Sequence, residues 1–155
     1  MIGILTMALV GAAVYGGLAL LRGRQVEAVV IPPDGLISGA GPMPGWLQAA
    51  DPSIQKEFVW AAAHKQELQY VPCYCGCMAQ GHTSNADCYY DFDTAGNITQ
   101  YDSHAFGCGT CLDITREVRQ GLARGKSLTQ IRQEIDKKYQ AQGMQPTQTP
   151  MPPAQ

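Results

Sequence analysis

Three cysteines alternate with other residues in the segment Cys73-Tyr74-Cys75-Gly76-Cys77. An extended backbone turns every second side chain to the same side, so this spacing predicts that the three thiols lie together. Cysteines only two positions apart make poor disulfides, because the short ring strains the bond. Soft thiolates instead select Cu(I), Zn(II) or iron–sulfur clusters, and three of them can form a trigonal Cu(I) site. We therefore predict a soft-metal site with these three cysteines as its primary ligands.

The other cysteines and two of the three histidines follow soon after this segment. The pair Cys108-Gly-Thr-Cys111 stands where a helix is predicted to begin, and its spacing matches both redox dithiols and zinc clips. Together with the remaining donors, this pair is predicted to form a second site, a shared cluster or a supporting shell. The residues of this second set are His82, Cys88, His104, Cys108 and Cys111.

Three functions remain open for these donors: metal binding, thiol–disulfide exchange, and three structural disulfides in an accessory subunit of a membrane complex. Charge helps to choose between them. Two cationic residues stand against seven acidic ones between Asp51 and His104, and such surroundings suit a cation better than a reactive thiolate. The net charge of −2 and the lack of a basic face in the sequence argue against a nucleic-acid partner. Metal binding, without catalysis, is the favoured function.

The chain begins with an uncharged apolar stretch. Ile2 to Leu21 is long enough to cross roughly 30 Å of hydrocarbon as a helix, so residues 1–24 are predicted to be a transmembrane anchor. Arg22 and Arg24 follow it directly, and the positive-inside rule alone would place the rest of the chain in the cytoplasm. Residues 25–50 are rich in glycine and proline and are predicted to be a semi-extended tether.

The cysteine-rich domain is predicted to span residues 51–142 and to begin with a helix from Asp51-Pro52 to about Gln69. Aromatic and β-branched residues on both sides of Gly96-Asn97 predict a short β-hairpin. The same residues partly match a calcium-binding loop, but Ala95 occupies a position that needs an oxygen ligand.

The last third of the domain is predicted to be a helical hairpin that breaks at Arg124-Gly125, with Ser127 and Gln130 as the capping box of its second helix. Residues 143–155 offer little to bury and are predicted to be a disordered tail. The expected fold class is therefore mainly α with a short β-hairpin: an N-terminal transmembrane helix followed by a small cysteine-rich helical domain.

The hexapeptide Pro72–Cys77 resembles the bacterial family named for its PCYCGC motif. Gly81-His82, Asp87-Cys88, Ser103-His104, Cys108-x-x-Cys111 and Gly125-Lys-Ser-x-x-x-Ile131 also resemble that family. It has no settled activity. The resemblance implies an exported bacterial protein attached to the membrane, here by an apparent transmembrane helix in place of a lipid-bearing cysteine. We therefore expect the domain on the extracytoplasmic face of the cytoplasmic membrane, despite the two arginines.

The C-terminal part is also loosely similar to the helical thiol reductases of cytochrome c maturation. The similarity rests on Cys108-x-x-Cys111 followed by Glu117-Val118-Arg119, and on the stretch from Gly125 to Tyr139. It implies one redox pair held near the membrane, but this chain has more cysteines than that role needs. The sequence therefore favours a protein that holds Cu(I), with zinc as the alternative, and delivers it to a membrane partner such as a respiratory oxidase.

Overall fold

A computed structural model describes residues 29–153 of the chain. The predicted membrane span at Ile2 to Leu21 lies outside this range. Within residues 29–153, no helix combines the length and the apolar character needed to cross a membrane. This part of the chain is mainly helical and carries two small antiparallel hairpins, which confirms the predicted mainly helical class and the predicted hairpin and adds one hairpin that was not expected.

The elements follow one another along the chain with short connections. The strands are β1 (Leu36–Ile37), β2 (Gly41–Pro42), β3 (Tyr90–Phe92) and β4 (Ile98–Tyr101). The α-helices are α1 (Gly45–Gln48), α2 (Pro52–Ala63), α3 (Lys65–Leu68), α4 (Gly109–Ala123) and α5 (Leu128–Gln140). Three 3-10 helices, Cys77–Gln80, Ala86–Cys88 and His104–Gly107, lie around the cysteines.

Helix α2 begins as predicted, because the Asp51 carboxylate accepts a hydrogen bond from the Ser53 amide at 2.7 Å and Pro52 occupies the first turn. It ends earlier than predicted. His64 leaves the helical conformation at φ −116° and ψ 27°, and the chain continues as the separate one-turn helix α3. Phe58 on the inner face of α2 is fully buried and packs edge-on against Tyr89, with ring centroids 4.9 Å apart.

Helices α4 and α5 form the predicted hairpin. Ser127 and Gln130 make a capping box in which each side chain accepts a hydrogen bond from the other residue's amide. The two helices approach closely at Gly121, where an added Cβ would lie 2.5 Å from Cγ1 of Ile131. This hairpin supplies buried apolar residues, among them Val118 and Ile135, to the core beside the cysteines.

Strands β3 and β4 pair with Tyr90 opposite Tyr101 and Phe92 opposite Ile98. The Asp93 carboxylate closes their turn by accepting hydrogen bonds from the amides of Ala95 and Asn97 at 2.9 and 2.8 Å. The residues that partly matched a calcium loop therefore form the turn of a hairpin, which Asp93 closes.

Packing extends beyond the boundaries predicted at residues 51 and 142. In the segment expected to be a tether, Ile37, Met43 and Leu47 are buried in the core. In the segment expected to be a disordered tail, Thr147 is buried and pairs with Cys73. Its amide donates to the Cys73 carbonyl and its hydroxyl accepts from the Cys73 amide, both at 2.9 Å. Apolar residues spaced between the prolines and glycines give these segments enough surface to bury.

Candidate metal centre

The hexapeptide brings its three thiols together through a turn. Gly76 adopts φ 85°, a left-handed conformation that glycine reaches without steric cost. Cys77 then begins a 3-10 helix and does not continue an extended strand. The three thiols lie close together, as predicted. They do so because the chain turns at Gly76, and not because an extended strand places alternate side chains on one side.

Cys73, Cys75, Cys77 and Cys88 form the first group of donors, which we call the inner group. Their four Sγ atoms lie within 4.8 Å of one another. The contacts are 3.2 Å from Cys73 to Cys75 and 3.8 Å from Cys77 to Cys88. A tetrahedral ion with metal–sulfur bonds of about 2.3 Å places its sulfurs about 3.8 Å apart. All members except the half-buried Cys75 are buried, so the group can hold an ion with little access to water.

Cys75, His104, Cys108 and Cys111 form the second group, which we call the outer group, and their donor atoms also lie within 4.8 Å of one another. Nε2 of His104 is 3.1 Å from the Cys75 sulfur, and Cys111 is 3.6 Å from it. Cys108 is the N-cap residue of α4 and Cys111 lies in its first turn, as predicted for a helix that begins at this pair. Three of the four donors are half-buried, so this group is more accessible than the inner one.

The two groups are joined. Cys75 belongs to both of them, and the sulfur of Cys73 lies 3.3 Å from that of Cys111. Seven of the eight residues predicted as ligands are therefore gathered in one place. The sequence left open whether the later residues form a second site, a shared cluster or a supporting shell, and the geometry favours a shared cluster that could hold metal.

His82 is the predicted ligand that stands outside both groups. Its Nδ1 lies 3.5 Å from the Cys88 sulfur and its Nε2 lies 3.6 Å from a carboxylate oxygen of Asp102. The ring thus lies between a cysteine of the inner group and a carboxylate. Asp102, which sequence reasoning missed, also accepts a hydrogen bond from the His104 amide at 2.6 Å. The only signal for it was its position two residues before His104.

Hydrogen bonds within the cluster separate the pKa values of its thiols. A hydrogen bond with Cys111 lowers the pKa of Cys73 to about 7. The same thiol, followed by Cys73, lowers the pKa of Cys75 well below its usual range. The pKa of Cys88 is raised, mainly by a hydrogen bond with Cys111, and the pKa of Cys111 is raised by a hydrogen bond with Cys73. The thiols of the cluster are therefore coupled through hydrogen bonds that cross from one group to the other.

No curated protein and no solved structure is significantly similar to this chain. One family model matches, described as a protein of unknown function with PCYCGC motif, and it covers residues 34–152. That range contains both donor groups and both segments that pack outside residues 51–142. The looser similarity to cytochrome c maturation reductases stays a prediction. By this match the chain belongs to the PCYCGC-motif family, whose function is unknown.

Proposed function

We propose that this protein holds Cu(I) in its cysteine cluster and delivers it to a partner at the extracytoplasmic face of the bacterial cytoplasmic membrane. The observation that carries the proposal is the convergence of six sulfurs and one imidazole into two groups joined at Cys75. Thiolates are the ligands that select soft ions. The acidic stretch from Asp51 to His104 adds a surrounding potential that favours a cation.

Three central sulfurs in mutual contact supply thiolate ligands of the kind that Cu(I) binds. Cys73, Cys75 and Cys111 form a triangle with sides of 3.2, 3.3 and 3.6 Å. The circle through these sulfurs has a radius of about 2 Å, so an ion with metal–sulfur bonds of about 2.3 Å to all three lies roughly 1.2 Å above their plane and has room for a fourth donor. A planar trigonal Cu(I) site would need these sulfurs about 4 Å apart, so the support for copper is the preference of this soft ion for thiolate ligands. Zinc is the alternative, because four cysteines, or three cysteines and a histidine, are zinc donor sets.

The same contacts favour metal delivery over thiol–disulfide exchange. A reductase needs a dithiol that reacts as an isolated pair, whereas the Cys111 sulfur touches Cys73 and Cys75 of the other segment. Delivery needs a donor that an incoming thiol can displace. Cys75 and Cys108 are half-buried and meet this need, while the buried inner cysteines retain the ion until transfer.

The decisive experiment uses the full chain, purified without oxygen in detergent, for elemental analysis and a free-thiol count. We expect stoichiometric copper, which a Cu(I) chelator of known affinity removes. His104→Gln should weaken copper binding because it removes a donor of the outer group. His64→Gln is the matched control, since His64 stacks on Trp60 with ring centroids 4.1 Å apart and belongs to neither donor group.

Other outcomes of that experiment point to the other functions. Three disulfides without metal would support a stapled accessory subunit and overturn copper binding. Exchange with a dithiol probe confined to Cys108 and Cys111, with activity that survives Cys75→Ser, would support a reductase.

The proposed location rests on the apolar stretch Ile2 to Leu21 and on the resemblance to exported proteins. It is tested by adding protease to intact spheroplasts that carry the full chain with a C-terminal epitope. Loss of the epitope supports an extracytoplasmic domain. Protection until the membrane is permeabilised would place the domain in the cytoplasm, and a respiratory oxidase or similar complex could then not receive copper from it on the outer side.

A further inference from the structure

We propose that the cluster binds two metal ions joined by the sulfur of Cys75, and that the ion in the outer group is the exchangeable one. This inference rests on the proposed function, because it assumes that the donors bind soft metal. It adds the number of ions, the bridging ligand and the order in which the ions leave.

Seven donor residues are one too few for two separate four-coordinate ions, so two ions would have to share a ligand. Both groups have the four donors that a tetrahedral ion requires, yet together they contain seven residues, since Cys75 is counted in each. Two four-coordinate ions can therefore be completed only if one donor binds both. A thiolate sulfur has enough lone pairs to bind two ions, whereas an imidazole nitrogen has a single one. The shared residue is a cysteine, as the chemistry of a bridge demands.

Distances between the groups show that two ions would be neighbours. Apart from the shared residue, the groups are in contact through the Cys73 and Cys111 sulfurs, which lie 3.3 Å apart. Cys75 contacts both of them, at 3.2 and 3.6 Å. An ion on the side of Cys77 and Cys88 and another on the side of Cys108 and His104 would thus both bind the Cys75 sulfur.

Charge favours a second ion. Six thiolates in one cluster would carry six negative charges; one Cu(I) would leave five of them uncompensated or protonated, and a second ion lowers that number to four. Burying unpaired charge is costly. The segment from Asp51 to His104, which carries four of these cysteines, holds only two cationic residues, so a second metal cation is the natural source of compensation.

Burial assigns the order of exchange. Cys73, Cys77 and Cys88 are at most 1% exposed, whereas Cys75, Cys108 and His104 are half-buried. A chelator or a partner thiol reaches the outer group first. The inner ion can follow only through Cys75, the one member of its group that is open to solvent.

The test uses the metal-free full chain and Co(II), a paramagnetic ion that reports tetrahedral thiolate ligands. We expect two equivalents to bind. Because a bridging thiolate couples the two spins antiferromagnetically, the electron paramagnetic resonance signal should rise with the first equivalent and fall with the second. A parallel titration with Cu(I) should also end at two equivalents, and a chelator should remove them in a fast and a slow phase.

Variants identify the bridge. Cys108→Ser should retain one ion, show no coupling and lose the fast phase of removal, because it damages only the outer group. Cys77→Ser is its counterpart in the inner group and should also retain one ion. Cys75→Ser should weaken both ions, since it belongs to both groups. Two uncoupled Co(II) ions in the unaltered protein, or a single ion per chain, would overturn the inference while leaving metal binding intact. Failure to bind any metal would overturn the proposed function itself.

Discussion

A buried chain of hydrogen bonds, which no sequence motif predicted, holds the backbone of Cys111 in place. The Tyr89 hydroxyl lies 2.7 Å from that of Thr115, which donates to Oδ1 of Asn85 at 2.7 Å. Nδ2 of Asn85 then donates to the Cys111 carbonyl at 3.3 Å. All three side chains are fully buried. The network fixes the first turn of α4 against the loop before Cys88, so it positions residues of both groups.

Thr115→Val tests this network with a side chain of the same shape. It removes the hydroxyl between Tyr89 and Asn85, and we expect a loss of about 1 to 3 kcal/mol in the free energy of unfolding, because buried polar groups lose a partner. Denaturation followed by the fluorescence of the two tryptophans measures it. Thr129→Val, the same change at a half-buried position of α5, should cost much less. Equal losses in the two variants would contradict the role given to the network.

At the scale of elements, the distance between the two helices of the hairpin is set by a close contact. Helices α4 and α5 touch where Gly121 faces Ile131, and α5 in turn holds the motif segment. Arg132 on α5 is buried and donates to the Tyr70 carbonyl at 2.8 Å. The Tyr74 hydroxyl within the motif donates to Asp136 at 2.6 Å. The spacing of these two helices therefore decides where the hexapeptide lies.

Gly121→Ala should destabilise the protein although alanine favours helices by about 1 kcal/mol. The new Cβ would lie 2.5 and 2.7 Å from two Ile131 carbons, and overpacking of this kind costs about 1 to 3 kcal/mol. Thermal unfolding measures the effect. Gly45→Ala is the control, because among residues 29–153 an added Cβ there would meet no atom within 4 Å outside its chain neighbours and its own helix. In an Ile131→Ala background, Gly121→Ala should cost less stability, because the side chain that the new Cβ would strike is gone. If the losses of the two single variants simply add, the Gly121–Ile131 contact does not set the helix spacing.

Helices α2 and α4 are linked by Glu57, which is 2% exposed and accepts hydrogen bonds from Arg119 at 2.7 Å and Arg116 at 3.3 Å. Burial raises the pKa of Glu57 above its ordinary value, more than the two arginines lower it. The folded state therefore binds the Glu57 proton more tightly than the unfolded state does. The bound proton on Glu57 therefore stabilises the fold fully at a pH below the pKa that Glu57 has in the unfolded chain. This stabilisation is lost as the pH rises through the higher pKa that Glu57 has in the folded protein.

The prediction is a difference between two pH profiles. Relative to Glu57→Gln, the unaltered protein should lose free energy of unfolding as the pH rises through the Glu57 transition, and the difference should level off above it. Urea denaturation of the reduced, metal-free full chain across this range measures both profiles. Lys126 and Glu134 form a surface pair, so Glu134→Gln serves as the control and should follow the unaltered profile closely. If the unaltered protein instead gained free energy of unfolding relative to Glu57→Gln as the pH rose, folding would lower the pKa of Glu57, contrary to the assigned direction.

At the scale of the whole molecule, residues from both ends of the described range pack against the central part of the domain. Gly39 adopts φ 89° in the turn between β1 and β2, and an added Cβ there would lie 2.2 Å from the Ile98 carbonyl oxygen. At the other end, Thr147 pairs with Cys73 and the Pro150 carbonyl accepts from Arg132 at 3.1 Å. The C-terminal segment thus supports the first cysteine of the motif.

Thr147→Val should loosen Cys73 and speed metal loss from the inner group. The change removes the hydroxyl that accepts from the Cys73 amide and leaves a buried donor without that partner, a cost of about 1 to 3 kcal/mol. Hydrogen exchange of the Cys73 amide and the rate of metal removal by a chelator are the two measurements. Thr94→Val, at an exposed position in the β3–β4 turn, is the control. Unchanged exchange at Cys73 would show that the C-terminal segment does not support the site.

The sequence by itself determined what is encoded locally. The Asp51-Pro52 start of α2, the Ser127–Gln130 capping box, the turn around Gly96-Asn97 and the helix start at Cys108 all depend on neighbours within a few residues, and the structure contains each of them. The cysteines and histidines also predicted a soft-metal site, because thiolate ligands favour soft ions, and the structure gathers seven of the eight predicted ligands where a metal could bind.

Only the tertiary structure decided how those donors are grouped. The contact of Cys73 with Cys111, the sharing of Cys75 and the position of His82 outside both groups join segments far apart in the chain. The packing of residues 29–50 and the pairing of Thr147 with Cys73 are equally non-local. No local spacing specifies such contacts, because they form when apolar faces and buried polar groups find partners in the folded core.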